Sequence, residues 1–346
     1  MRILLWSNQP YGSAFTHGSG RAPREMPSGS GHFVHDTLAK GLAELGHEVF
    51  YYSEAGAATP LPAGVRLVDA PPEEMDILHN YSSSRSHAAL MDHTRKRRIP
   101  WVTTCHLDIK PRGVDRSHAG ENWIFVSRTL ARLYGRSRFV HNGLDPAAYR
   151  YRERKEDYFV FMSSMDWAVE KGLEIALQLA AEMKFRLVVA GTGGGASVVE
   201  KIGALCERAG AEYMGDVRGQ EKADLLAGAR GLLNPTQLEE AFGLAMAEAL
   251  MCGTPVICSN RGACPEVISP DVGFVCRDLN DYRQAIEETG EIQPAACREK
   301  AMREYHYHRM AAGFVREYEV ELACPSAGNL ESNLEALPVP AGARGL

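Results

Sequence analysis

Read only for apolar and polar positions, the chain alternates short apolar runs with longer stretches of helical period. Ile3 to Trp6, Val49 to Tyr52, Ile77 to His79, Trp101 to Thr104 and Trp123 to Val126 read as strands. Between the first two, Phe33, Val34, Leu38, Leu42 and Leu45 recur at helical spacing, and Gly46 ends that helix. Strand, helix and strand at these lengths mean parallel crossovers. Phe139 and Val140 then lead into H-N-G-L-D-P, whose Asn-Gly and Asp-Pro pairs are turn signals, and Tyr151 to Asp157 is charged and without period, as a linker is. The alternation restarts with Tyr158 to Met162, a helix over Gly172 to Met183, Arg186 to Ala190, helices over Ala196 to Ala209 and Glu221 to Ala229, and Gly231 to Leu233. A small-residue helix from about Gly243 to Met251 stops at Gly253, Pro255 and a β-branched pair. Helical character returns from Cys297 to Leu322, and the tail from Pro325 to Leu346 is rich in Pro, Ala and Gly and reads as loose. The pattern predicts two α/β halves, each a doubly wound parallel sheet.

Length agrees, since 346 residues exceed one ordinary core. A net charge of −6 argues against a nucleic-acid partner held by bulk charge. The basic run Arg95 to Arg98 reads as a solvated helix end, which allows at most weak peripheral association with a membrane. No apolar run approaches membrane-spanning length, and Ile3 to Trp6 is too short for a signal h-region. The 8 cysteines form no C-x-x-C pair and read as buried thiols of a reducing cytoplasm.

The densest chemistry lies in P-T-Q-L-E-E-A-F-G-L-A-M-A-E-A-L-M-C-G-T-P-V-I, from Pro235 to Ile257. Glu240 sits in a loop and Glu248 on the helix that follows. Between them the N–H groups of Phe242, Gly243 and Leu244 face the positive end of the helix dipole, an anion site. An acid, a phosphate cradle and a second acid suit a sugar nucleotide. Pro10 to Gly31 is a long Gly/Ser/Pro-rich loop after the first strand, where open parallel sheets bind ligands. A second Gly-rich turn, Gly191, Gly193 and Ala196 with Glu212 about twenty residues on, satisfies the dinucleotide pattern and raises a nicotinamide alternative. His106 follows a strand end, and Lys171 precedes Gly172 and a helix, within reach of a diphosphate. Glu266 either lines the same site or caps a turn. His306 with His308, and His32 with His35, lack a third ligand, so no metal site is expected. The chain contains no Asp-x-Asp, the usual carboxylate pair for a metal-bridged diphosphate.

In these motifs the sequence resembles the retaining glycosyltransferase family 4 with the two-domain GT-B fold, from Met1 to about Leu322. The E-x7-E pair, Glu240 and Glu248, carries the likeness. It is supported in order by L-G-H-E-V, D-I-L-H, H-N-G-L-D-P, K-G at Lys171, V-V-A-G-T-G around Gly191, and P-E-V-I. The resemblance implies two Rossmann-like domains facing across a cleft, residues 1–150 on the acceptor side and 151–304 binding the nucleotide sugar. A C-terminal helix at about 305–322 then crosses back to the first domain, and 323–346 is tail. It implies that Glu248 binds the donor ribose and that Glu240 lies beside the transferred sugar. Backbone at Phe242, Gly243 and Leu244 would contact sugar and phosphate, His106 the reacting sugar and acceptor, and Gly29 and Gly31 the diphosphate. The family places Gly-Arg before its Lys-Gly, whereas this chain reads S-S-M-D-W-A-V-E-K-G, so Ser163 and Ser164 stand where an arginine is expected.

The expectation is a retaining, metal-independent, hexosyltransferase-type enzyme without cofactor. It would move a sugar from a UDP- or GDP-type donor to a hydroxyl of a small or lipid-linked acceptor in the cytoplasm. A sugar-nucleotide epimerase of the same architecture, a nicotinamide-dependent oxidoreductase using Gly191 to Ala196, and a non-catalytic sugar-nucleotide sensor are the alternatives.

Overall fold

The computed structural model describes residues 1–7, 11, 30–53, 56–81, 94, 96–106, 119–191 and 193–326. Of the long loop expected after the first strand, residues 12–29, including Gly29, lie outside the described residues.

The described residues fall into two units. One contains the first strand, Gly31–His141 and the chain from Tyr307, and the other contains Asn142–His306. In chain order the first is built from β1 (Arg2–Trp6), α1 (Ser30–Glu44), β2 (Glu48–Tyr52), β3 (Val65–Val68), β4 (Ile77–Asn80), β5 (Trp101–Cys105), β6 (Trp123–Phe125) and α2 (Arg128–Leu133). Its sheet runs β3-β2-β1-β4-β5-β6, every pair parallel. The order reverses between β1 and β4. The second unit has β7 (Phe159–Met162), α3 (Leu173–Met183), β8 (Leu187–Ala190), α4 (Ala196–Ala209), β9 (Glu212–Gly215), α5 (Gly219–Gly228) and β10 (Gly231–Asn234). It continues with α6 (Leu244–Met251), β11 (Val256–Ser259), α7 (Cys264–Val267), β12 (Gly273–Cys276), α8 (Leu279–Glu288) and α9 (Pro294–Glu304). That sheet is also all parallel, in the order β12-β11-β10-β7-β8-β9, and reverses between β7 and β10. Two doubly wound Rossmann-like sheets are therefore present, as the alternation predicts.

The inner strands β7, β8, β10 and β11 are buried along their whole length, which is why they read as unbroken apolar runs. Edge strands look different. In β3 the side chains of Arg66 and Leu67 are exposed, and in β9 Glu212 and Met214 are. Their charges keep an open sheet edge from pairing with another chain, and the same charges hide both strands from a search for apolar runs. Glu212 thus lies on a strand, at its first residue.

The helical character expected over Cys297 to Leu322 is carried by two helices, α9 and α10 (Tyr307–Ala323). The break is set by a bridge partner far away in the chain. The Tyr305 carbonyl accepts the Leu144 N–H at 2.8 Å and His306 pairs with Leu144 as a β-bridge, so this backbone leaves the helical ladder. Helix α10 belongs to the first unit, where small residues let it pack closely. A Cβ on Gly313 would meet Val140 Cγ1 at 2.8 Å, and one on Gly41 of α1 would meet Ala311 Cβ at 2.9 Å. Arg138 binds the same helix with its planar fork, Nε to Glu317 at 2.7 Å and Nη1 to the buried Glu321 at 2.9 Å. Seven cysteines are buried free thiols, while Cys324, just past α10, is exposed and departs from the expectation.

Tyr318 of α10 donates its hydroxyl to, or accepts from, His79 Nδ1 at 2.6 Å, and Thr104 Oγ1 lies 2.6 Å from His79 Nε2. Full burial, with His106 nearby, pushes His79 down from 6.5 to about 3. The unfolded chain therefore binds a proton near pH 6.5 that the folded chain refuses until about pH 3. Stability from this residue is full above about pH 6.5 and falls by about 1.4 kcal/mol for each unit below it. Urea titrations at pH 7 and pH 5 test this: His79→Gln should lose less stability than the wild type over that interval, and equal losses would remove His79 as the cause.

Candidate functional site

In open parallel sheets ligands gather beyond the C-terminal strand ends where the order reverses. In the second unit that point lies between β7 and β10, and both strands run into loops that glycines press together. Gly172 has φ +88, and a Cβ there would stand 2.0 Å from the Pro235 carbonyl oxygen. Only glycine lets the turn before α3 lie on the loop after β10. The contact is secured by the Gln237 N–H donating to the Glu170 carbonyl at 2.8 Å. From the far side Gly262, φ +54, lies against the same loop, with a Cβ position 2.2 Å from the Glu240 nitrogen, and the Ala263 N–H donates to the Glu240 carbonyl at 2.8 Å.

Held from both sides, the loop presents two acids to two bases. Lys171 Nζ lies 2.5 Å from Glu240 Oε2, with side chains 24% and 11% exposed. Glu239 accepts the Gly262 N–H at 3.1 Å and faces Arg261 across a looser 3.8 Å. The loop then enters α6 through Gly243, whose φ of +85 is the left-handed turn that starts the helix. The helical ladder opens with the Met246 N–H on the Gly243 carbonyl at 2.9 Å, so the N–H groups of Leu244 and Ala245 precede it and point along the positive dipole end. Phe242 turns its ring into the core, edge-on to Tyr305 at 5.5 Å, and leaves only its backbone to the site.

One turn on, Glu248 is buried at 4% exposure. Tyr149 donates to its Oε1 at 2.9 Å, and the ammonium of Lys222 spans both oxygens, 2.7 Å from Oε1 and 2.6 Å from Oε2. Burial and the Glu248 charge push the Tyr149 hydroxyl well above its ordinary range, so it stays a donor. Neither partner was picked out in the sequence. Tyr149 had a signal, standing at the end of the turn that H-N-G-L-D-P opens, with Asp145 Oδ1 accepting the Ala147 N–H at 3.0 Å. Lys222, a single cation on an amphipathic helix, had none.

At the end of β7 the hydroxyls stand where an arginine was expected; one meets a backbone carbonyl and the other an acid. Ser163 Oγ donates to the Ser164 carbonyl at 3.0 Å, and Ser164 Oγ is 3.5 Å from Asp166 Oδ2. Asp166 also accepts the Gly194 N–H at 3.0 Å, capping the Gly-rich turn that the dinucleotide pattern would use for phosphate. Gly191 owes its identity to packing, since a Cβ there would stand 1.7 Å from the Ser163 carbonyl oxygen. Glu212 opens β9 at its N-terminal end and pairs with Arg186 at 2.7 Å. A ribose-binding acid belongs at the other end of such a strand, so this geometry speaks against the nicotinamide alternative.

In the first unit His106 follows β5, its ring stacked on Tyr81 at 5.1 Å. Gly31 is the second residue of α1 and so lies in a helix, where a loop was expected. Glu266 lies in the short α7 with its N–H donating to the Ala263 carbonyl at 2.9 Å. Among the described residues no His, Cys, Asp or Glu side chains gather in threes that could hold a metal ion, and no helix is long and apolar enough to cross a membrane.

Residues 156–290 match the family described as glycosyl transferases group 1. O-antigen chain mannosyltransferase B of Escherichia coli is 33% identical over 144 residues, 39% of this chain and 36% of that protein. D-rhamnosyltransferase WbpZ of Pseudomonas aeruginosa is 26% identical over 263 residues, 71% of this chain and 68% of that protein. The chain thus matches about a third of the first relative's length and about two thirds of the second's. Of solved structures, AviGT4, a glycosyltransferase involved in Avilamycin A biosynthesis, superposes with a TM-score of 0.70 at 24% identity, covering 93% of this chain and 98% of its own. Anabaena HepE in complex with UDP-glucose gives 0.68 at 14% identity, covering 92% and 100%. Lys171, Glu240 and Glu248 thus all lie within the residues that match the group 1 glycosyltransferase family, on a chain with the GT-B fold.

Proposed function

We propose that the chain transfers a sugar from a nucleoside diphosphate sugar to an acceptor hydroxyl, with retention at the anomeric carbon and without a metal ion. The observation that carries this is the Lys171–Glu240 pair set beside the start of α6 at the β7/β10 reversal. Helix N–H groups and an ammonium are the charges a leaving diphosphate needs, and they act at full strength when fixed in advance. HepE, of the same fold, binds UDP-glucose, and the two relatives bear the names of mannosyl- and rhamnosyltransferases, so a UDP- or GDP-linked hexose is the donor class.

Each group has a part. Lys171 turns from Glu240 to the diphosphate, which frees Glu240 to accept hydroxyls of the transferred sugar. The backbone at Phe242, Gly243 and Leu244, with the N–H of Ala245, takes phosphate and sugar oxygens, and Glu248 takes the ribose. In the step itself the bond from C1 to the diphosphate oxygen breaks as the bond to the acceptor oxygen forms on the same face. The acceptor's proton passes to the departing phosphate oxygen, so no protein base is consumed. His106 is assigned to the acceptor and sugar, and Gly29 and Gly31 to the diphosphate. Ser164 contributes a hydroxyl donor where the family likeness leads one to expect an arginine, and Gly191 contributes the close packing that keeps Ser164 in place. The residues do most of their work by positioning and charge stabilisation.

Thermal-shift screening against UDP-, GDP-, ADP- and TDP-sugars should show one of them raising the melting temperature by mass action. Stabilisation by none of them would count against the proposal. With the donor so identified, Glu240→Gln should cut turnover by about a hundredfold or more while nucleoside diphosphate affinity stays within about threefold. Turnover retained in that variant would point to a sugar-nucleotide sensor or to another catalytic arrangement. Product analysis after incubation with donor alone separates transfer from epimerisation.

A further inference from the structure

A carboxylate as enclosed as Glu248 is costly unless its charge and lone pairs are met by partners. The partners come from two elements outside α6. Lys222 projects from α5, and Tyr149 hangs from the turn Pro146–Ala148 that Asp145 caps. Tyr149 is itself buried, and Arg298 donates to its carbonyl at 3.4 Å, which ties that turn to α9.

Counting acceptor positions sets what Glu248 can still do. Each carboxylate oxygen offers about two in-plane positions. Oε1 receives both Tyr149 and Lys222, at 2.9 and 2.7 Å, and is full. Oε2 faces the same ammonium at 2.6 Å across the ion pair, with no hydrogen bond of its own, and keeps a position open. A ligand hydroxyl therefore finds one oxygen, in one plane, already oriented.

We infer that Lys222 and Tyr149 are positioning residues that aim Glu248 Oε2 at the 2′-hydroxyl of the donor ribose, and that these three side chains form the element selecting ribo- over deoxyribonucleotides. The inference rests on the reading of Glu248 as the ribose contact. Lys222 sets the plane of the carboxylate by bridging both oxygens, and Tyr149 stops it turning over. Lys222→Met leaves an enclosed carboxylate with no ammonium bridging it, which then rotates or swings toward water. Either change removes the aimed acceptor. Lys222→Arg keeps charge and bridging geometry.

The experiment compares affinities of the full chain for UDP against 2′-deoxy-UDP, and for GDP against 2′-deoxy-GDP, in the wild type, Glu248→Gln, Lys222→Met, Lys222→Arg and Tyr149→Phe. The wild type should prefer the ribonucleotide of its better pair by about tenfold, a preference of about 1.4 kcal/mol. Lys222→Met and Tyr149→Phe should narrow that to under about threefold and raise the donor KM, with kcat at saturating donor within about threefold, whereas Lys222→Arg should keep most of the preference. If Glu248→Gln abolishes the preference while Lys222→Met and Tyr149→Phe leave it intact, the inference is overturned and the ribose role of Glu248 stands. If the wild type shows no preference in either pair, or Glu248→Gln keeps it, the ribose role of Glu248 itself falls. Tyr149→Phe is nearly isosteric, so it decides the matter even where Lys222→Met fails to fold.

Discussion

The contact of Gly172 with the Pro235 carbonyl is what the donor-side geometry depends on. A Cβ at Gly172 would stand 2.0 Å from that oxygen, and the residue's φ of +88 is one that side chains other than glycine's resist. Because the turn before α3 can lie on the loop after β10, Lys171 reaches Glu240, and because Gly262 presses from the other side, that loop cannot move away to escape the charge. Two strand ends that are neighbours in the sheet but far apart in the chain are thereby locked into one surface. The helix that follows begins where the lock leaves it, at Gly243.

The charges along this surface differ in how firmly they are held. Glu248 is enclosed and bridged at 2.6 and 2.7 Å, Glu240 is half-sheltered and paired at 2.5 Å, and Glu239 with Arg261 is looser at 3.8 Å and more exposed. An exposed pair at that distance contributes little to stability, while an enclosed one becomes strongly destabilising when one partner is removed. The order suits a ligand that arrives carrying negative charge: the enclosed acid remains an oriented acceptor, and the half-sheltered lysine is the cation that can turn to a phosphate.

Much of the fold is legible in the sequence because inner parallel strands must be apolar on both faces. Phe159–Met162, Leu187–Ala190 and Val256–Ser259 could hardly be read otherwise. The edge strands are not legible that way, since Arg66 in β3 and Glu212 in β9 are there to face solvent. Nor is the break between α9 and α10, which is set by Leu144, a residue some 160 positions earlier in the chain. At the site, Glu240, Gly243 and Glu248 stand out because one helix start gathers them within nine residues. Lys171 announces itself through the glycine after it. Lys222 and Tyr149 reach Glu248 only through the fold, and Asp166, which caps Gly194, is visible only once Gly191 has brought the ends of β7 and β8 together.

The most direct test of this account is the affinity for the nucleoside diphosphate sugar that stabilises the wild type, measured in Gly172→Ala beside Gly195→Ala, with melting curves to confirm that both fold. Gly195 opens α4 with φ −66 and has nothing within 4 Å of a Cβ position, so alanine there is tolerated. The account predicts that Gly172→Ala weakens donor binding by about tenfold or more, the loss of about 1.4 kcal/mol or greater, while Gly195→Ala binds as the wild type does. A folded Gly172→Ala chain that binds donor as tightly as the wild type would contradict it.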